Sequence, residues 1–79
     1  PNPFNPFTTI PLFLDRDEII NLDIFNISGR KEESLLVNIM MKSGNHKVKW
    51  NATDYSSGTY FLRLSIGKMI YTEKLLLLK

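Results

Sequence analysis

The sequence predicts an all-β protein, an antiparallel sandwich of six to seven short strands, and three observations carry the prediction. Apolar residues alternate with polar ones instead of recurring at helical spacing. Turn residues interrupt the chain at intervals of roughly 8 to 12 positions. Gly67 and Lys68 sit alone between two strand-like runs, the pattern of a two-residue hairpin. At 79 residues the chain has room for one domain, residues 1–79, with a single core, and without cysteine that core must form without disulfides.

The opening PNPFNPF, residues 1–7, is an extended Pro/Asn-rich segment leading into the first strand. Asn2 and Asn5 each precede a proline, which biases them toward extended geometry, and the prolines remove amide donors that a central strand needs. Phe4 and Phe7 are expected to anchor the segment by covering one end of the sandwich. Ile10, Leu12 and Leu14 share a face of the first strand, which the polar turn Asp15 to Glu18 ends. Ile20, Leu22 and Ile24 repeat the pattern, with Asn21 and Asp23 on the wet side. In NISGR, Asn26 to Arg30, Gly29 is free to take a positive φ.

The stretch Lys31 to Met41 reads as strand, with an irregular strand pair or a short helix as the alternatives. After the turn Lys42 to Asn45, Val48 and Trp50 alternate with Lys47 and Lys49, and Trp50 is the expected centre of the core. Asn51 to Gly58 crosses to a strand whose Tyr60, Leu62 and Leu64 oppose Thr59, Phe61 and Arg63, and the hairpin at Gly67 leads into the last strand, Met69 to Leu78. Short strands in this arrangement point to an immunoglobulin-like sandwich, and the lack of a cysteine pair excludes the antibody subtype.

Most catalytic chemistry finds no footing. The one histidine, His46, sits beside a turn with no Ser-His-Asp or metal-ligand spacing around it, so a solvated strand-edge residue is expected. Asp15, Asp17 and Glu18 are hard oxygen ligands but lack the glycine and later glutamate of an EF-hand loop, which favours a polar turn over calcium. No cofactor is implied. Asn26 and Asn51 open glycosylation sequons to which no function is attached. Ten basic and eight acidic side chains leave a net charge of +2 with scattered charges, too weak a balance to imply a nucleic-acid partner. Lys42, Lys47 and Lys49 lie near Trp50, but alternation turns the ring away from Lys47 and Lys49. No apolar run approaches the roughly 20 residues of a membrane helix. Because the chain starts at Pro1 without methionine, a removed segment or a larger protein is expected before it, and Lys79 is expected to be a natural terminus.

The closing KLLLLK departs from alternation, since Leu75, Leu76, Leu77 and Leu78 are apolar toward both faces. Either the domain covers both faces, or one leucine pair forms an exposed patch for a partner. Strand addition is a physically accessible docking mode for such a segment, with Lys74 and Lys79 bracketing it.

PNPFNPFTTI, IFNISGR, SGNHKVKWNA, SSGTYFLRL and TEKLLLLK occur in this order along the whole chain. In that series the sequence resembles the C-terminal sorting domains of the type IX (Por) secretion system, and it is similar to the related immunoglobulin-like domain of the flagellar hook-assembly scaffold. The resemblance implies a non-enzymatic secretion signal that directs an upstream cargo across the outer membrane. Its implied partners are the outer-membrane machinery and a sortase-like peptidase, and its implied location is secreted or on the surface of a Gram-negative bacterium, reached through the periplasm. The family's motifs fall on Pro1, Asn2 and Pro3, on Gly58 and Tyr60, and on Lys74, Leu75 and Leu76, with Leu77, Leu78 and Lys79 completing the terminal pattern. Lys31, Glu32 and Glu33 stand where the family has an apolar residue, so the third strand is expected to be displaced; Asn51 replaces a frequent aspartate. The alternative is a structural or adhesive immunoglobulin-like module, hook-scaffold-like or carbohydrate-binding, which an exposed row of Phe13, Phe25 and Phe61 on one sheet would favour.

Overall fold

Alternation decides which side of each strand is inside. The computed structural model describes residues 7–79, and in it the apolar series become β1 (Phe7–Leu14), β2 (Glu18–Asn26), β3 (Lys31–Met41), β4 (Gly44–Asn51), β5 (Gly58–Ile66) and β6 (Met69–Leu77). β1 pairs with β4 as a two-stranded sheet, and the other strands lie in the order β3-β2-β5-β6, every neighbour antiparallel. The two sheets enclose one core in which Ile10, Leu12, Leu22, Ile24 and Leu62 surround Trp50, whose relative exposure is 0%. This is the all-β sandwich that the alternation predicts.

Local chemistry sets the turns. The Asn26 side chain accepts hydrogen bonds from the backbone amides of Ser28 (2.9 Å) and Arg30 (3.0 Å), and Gly29 takes φ 84, a value open to glycine at no steric cost. At the far corner the Tyr60 hydroxyl donates to the Ser56 carbonyl at 2.7 Å, the bond back to upstream backbone that immunoglobulin-like folds use at a strand entrance. Gly67 and Lys68 make the two-residue turn, with Ile66 opposite Met69.

The segment Lys31 to Met41 is strand, not helix, and its pairing with β2 is irregular. Between Glu18↔Met41 and Phe25↔Lys31 the register shifts three times, so β3 spends eleven residues where β2 spends eight. One shift falls at Asn38, which is left-handed at φ 49; its amide donates to Asn21 Oδ1 at 3.0 Å, and its own Oδ1 accepts from Asn21 Nδ2 at 3.3 Å. Asparagine tolerates this conformation because its short polar side chain bonds locally.

Two expectations need correction or restriction. Phe7 does not cover the end of the sandwich. It shares parity with the outward residues of β1, is 47% exposed, and has the Lys49 ammonium 5.5 Å from its ring centroid. Phe4, like Pro1, Asn2 and Pro3, lies outside the described residues.

Candidate functional site

The β5–β6 ladder joins the two motifs that the sequence places far apart. Gly58 is opposite Leu77, Thr59 opposite Leu76, Tyr60 opposite Leu75 and Phe61 opposite Lys74. The Gly58-Tyr60 and Lys74-Leu77 motifs are therefore one continuous patch of sheet at the edge of the domain.

Within the patch the side chains divide by face. Leu77 enters the core with 4% of its surface exposed, and Leu75 packs against the core from its margin. Leu76 (59% exposed) and Leu78 (75%) face away. The domain thus covers one leucine pair and leaves the other open, and a β-branched or leucine side chain left in water forgoes roughly 1.5–3 kcal/mol that a partner could recover. Lys74 is exposed beside them. Lys79 is tied back to the loop before β5, its amide donating to Ser57 Oγ at 3.0 Å and its ammonium to the Thr53 carbonyl at 2.6 Å.

Gly58 and Tyr60 serve this geometry from behind. Gly58 has φ 155, rarely adopted by residues with a side chain. Tyr60 is buried, its ring 5.5 Å from Trp50 in an edge-to-face arrangement and 6.1 Å from Tyr55. A buried ring sets the position of β5, and β5 sets that of β6.

A structural residue that the sequence reading passed over is Glu33. Its Oε1 accepts the Trp50 indole N–H at 3.2 Å and the Tyr55 hydroxyl at 2.8 Å. Burial, and then the hydrogen bond and charge of Glu33 with lesser contributions from Glu32 and Asp54, push the Tyr55 hydroxyl up to about 12. The available signal was the indole itself: a buried tryptophan N–H needs an acceptor, and the acids at the start of the third strand, Glu32 and Glu33, are candidates to supply one.

Other candidates are not assembled into sites. His46 Nε2 lies 2.6 Å from the Lys42 carbonyl; the residue is half-buried at the start of β4, on the side of the strand that carries Val48 and Trp50. Asp17 accepts the Ser43 amide at 2.9 Å and pairs with Lys42 at 3.6 Å, while Glu18 pairs with Arg16 at 3.8 Å. These bonds tie the Asp15–Glu18 turn to its neighbours, and no metal-holding group of acidic or histidine side chains occurs among the described residues. The aromatic row is divided. Phe25 and Phe61 are cross-strand partners in the four-stranded sheet, with the Arg63 guanidinium 4.3 Å from the Phe25 centroid, whereas Phe13 belongs to the two-stranded sheet.

Compared with known protein families, residues 1–78 match the secretion system C-terminal sorting domain. The chain belongs to that family, the sorting domains of type IX secretion. No curated protein and no solved structure matches it. Membership makes this sorting domain a C-terminal signal that the type IX machinery reads, in a secreted or cell-surface protein, and its family is one of sorting signals and not of catalysts. Among the described residues of the sorting domain, no helix is long and apolar enough to cross a membrane.

Proposed function

We propose that the domain directs an upstream cargo across the outer membrane by offering the free edge of β6, with Leu76 and Leu78 beside it, to the secretion machinery. The observation that carries this reading is the contrast among edge strands. An unpaired strand edge invites association, and proteins usually blunt it with bulges, proline or charge. β3 has three bulges, β1 contains Pro11, and β4 alternates Lys47 and Lys49 with its apolar residues. β6 has neither bulge nor proline: it keeps unbroken register through all nine of its residues, carries its charges, Glu73 and Lys74, together at mid-strand, and has exposed leucines at its end. A strand added there gains directional backbone hydrogen bonds from the edge and apolar burial from the leucines.

On this reading Lys74, Leu75, Leu76, Leu77, Leu78 and Lys79 form the recognised segment, and Gly58 and Tyr60 hold it in register. Pro1, Asn2 and Pro3 would mark the junction with the cargo, where a sortase-like peptidase acts after passage through the periplasm. The adhesive alternative has no observation in its favour, since Phe13 lies on a different sheet from Phe25 and Phe61. The test is a reporter fused upstream of the domain in a type IX-competent host. Deleting Leu75 to Lys79 should block export while the reporter still folds; export unaffected by the deletion would remove the proposal.

A further inference from the structure

Sheets of unequal width cannot cover each other. Between β1, an edge of the two-stranded sheet, and β6 runs a trough of three adjoining hollows of about 430, 170 and 130 Å³. Ile10 and Leu12 wall it on one side, Leu62 and Leu64 floor it, and Tyr71 and Leu75 close the other side. Met69 and Tyr71 share the inward parity of Leu77 yet remain exposed, because no strand lies over them.

Charge enters the middle of this trough at one place. Glu73 lines two of the hollows and stands on the inward face of β6 between Tyr71 and Leu75. Its carboxylate makes no hydrogen bond or ion pair among the described residues. At the wide end Asp15 is joined by Arg16 and Glu18, which pair with each other, and Lys74 lies at the narrow end.

We propose that the trough receives one extended strand of a protein partner, added to the free edge of β6, with apolar residues at alternate positions and a lysine or arginine facing Glu73. This rests on the reading of β6 as the docking edge and adds what the edge selects. An inward charge on an edge strand repels ordinary strands, because covering it unpaired leaves a desolvated carboxylate. A cation in register turns the same group into a charge-assisted hydrogen bond, so one residue both rejects and selects. A second copy of this chain does not fit. Strands paired antiparallel about a two-fold axis perpendicular to the sheet set inward residues against inward residues. The inward residues of β6, Met69, Tyr71, Glu73, Leu75 and Leu77, include no cation.

The test uses the chain 1–79, isotopically labelled, and two peptides of about nine residues, the length of β6. Both alternate valine and threonine; one has lysine and the other glutamate at the central inward position. The lysine peptide is expected to bind about tenfold more tightly and to shift the amide resonances of β1 and β6, and Glu73→Lys, whose exposed position leaves the melting temperature unchanged, should reverse the preference. Equal affinity, no binding of either peptide, shifts confined to other strands, or a preference that survives Glu73→Lys would overturn the proposal. In the export assay, Glu73→Lys should cut export about tenfold. Normal export of Glu73→Lys, with export lost on deleting Leu75 to Lys79, would overturn the trough proposal and leave the sorting role standing. Export that survives the deletion would overturn both.

Discussion

Glu33 accepts the indole N–H of Trp50 across 3.2 Å, which ties the most irregular strand of the domain to the centre of its core. The same oxygen takes the Tyr55 hydroxyl, so β3, β4 and the loop before β5 meet at one carboxylate. Glu33→Ala leaves two donors without their partner and should lower unfolding free energy by about 1–3 kcal/mol, whereas Glu33→Gln keeps an acceptor and should cost about half as much. Urea denaturation followed by Trp50 fluorescence measures both.

Tyr55 makes the stability fall in strong base. Its proton is held to about 12 in the folded chain, against about 10 when unfolded. The unfolded state therefore loses its proton first: the contribution is complete below pH 10 and disappears as pH rises toward 12. Allowing for solvent screening, the decline should be on the order of 1 kcal/mol. Denaturation midpoints across that window should fall for the parent and stay flatter for Tyr55→Phe; parallel curves would refute the assignment.

The bulge at Asn38 makes a separate prediction. Asn38→Gly keeps the left-handed backbone and the amide bond to Asn21, and should change stability by less than about 1 kcal/mol. Asn38→Val forces a β-branched side chain to φ 49 and should cost about 1–3 kcal/mol. Equal losses in thermal or urea unfolding would mean that the backbone conformation is not the constraint.

These residues also mark where the sequence can and cannot be read. Period-two alternation located β1, β2, β4 and β5, and it identified Trp50 as the core's centre, because a strand with one covered face must alternate. The Gly67-Lys68 hairpin was equally legible, since few residues other than glycine meet such a turn's geometry. β3 was opaque for a definite reason: each bulge reverses parity, so Glu33 and its neighbours follow no single period. The motifs of the candidate site were visible one by one, and the Gly67-Lys68 hairpin, a local feature, already sets β6 beside β5; what the sequence did not show is the order of the remaining strands, which is not local information. Nor could the four closing leucines be sorted by inspection, because an all-apolar run has no phase until its partner strand supplies one.

Tyr60 should prove to be a structural member of the patch. Tyr60→Phe removes the bond to the Ser56 carbonyl, keeps the ring against Trp50, and should cost about 1–2 kcal/mol. Export of a reporter carrying it should fall only as far as the fraction of folded domain falls, measured by protease resistance at the same temperature.

The leucines separate docking from folding. Leu77→Ala opens a cavity in the core and should cost about 2–5 kcal/mol, while the exposed pair should be dispensable for stability. The most direct measurement is therefore export of a reporter fused to the Leu76→Ser/Leu78→Ser variant, with melting temperature recorded on the same protein. An open β6 surface that the machinery reads predicts an unchanged melt and lost export. A variant that melts with the parent and is exported as well as the parent would contradict it.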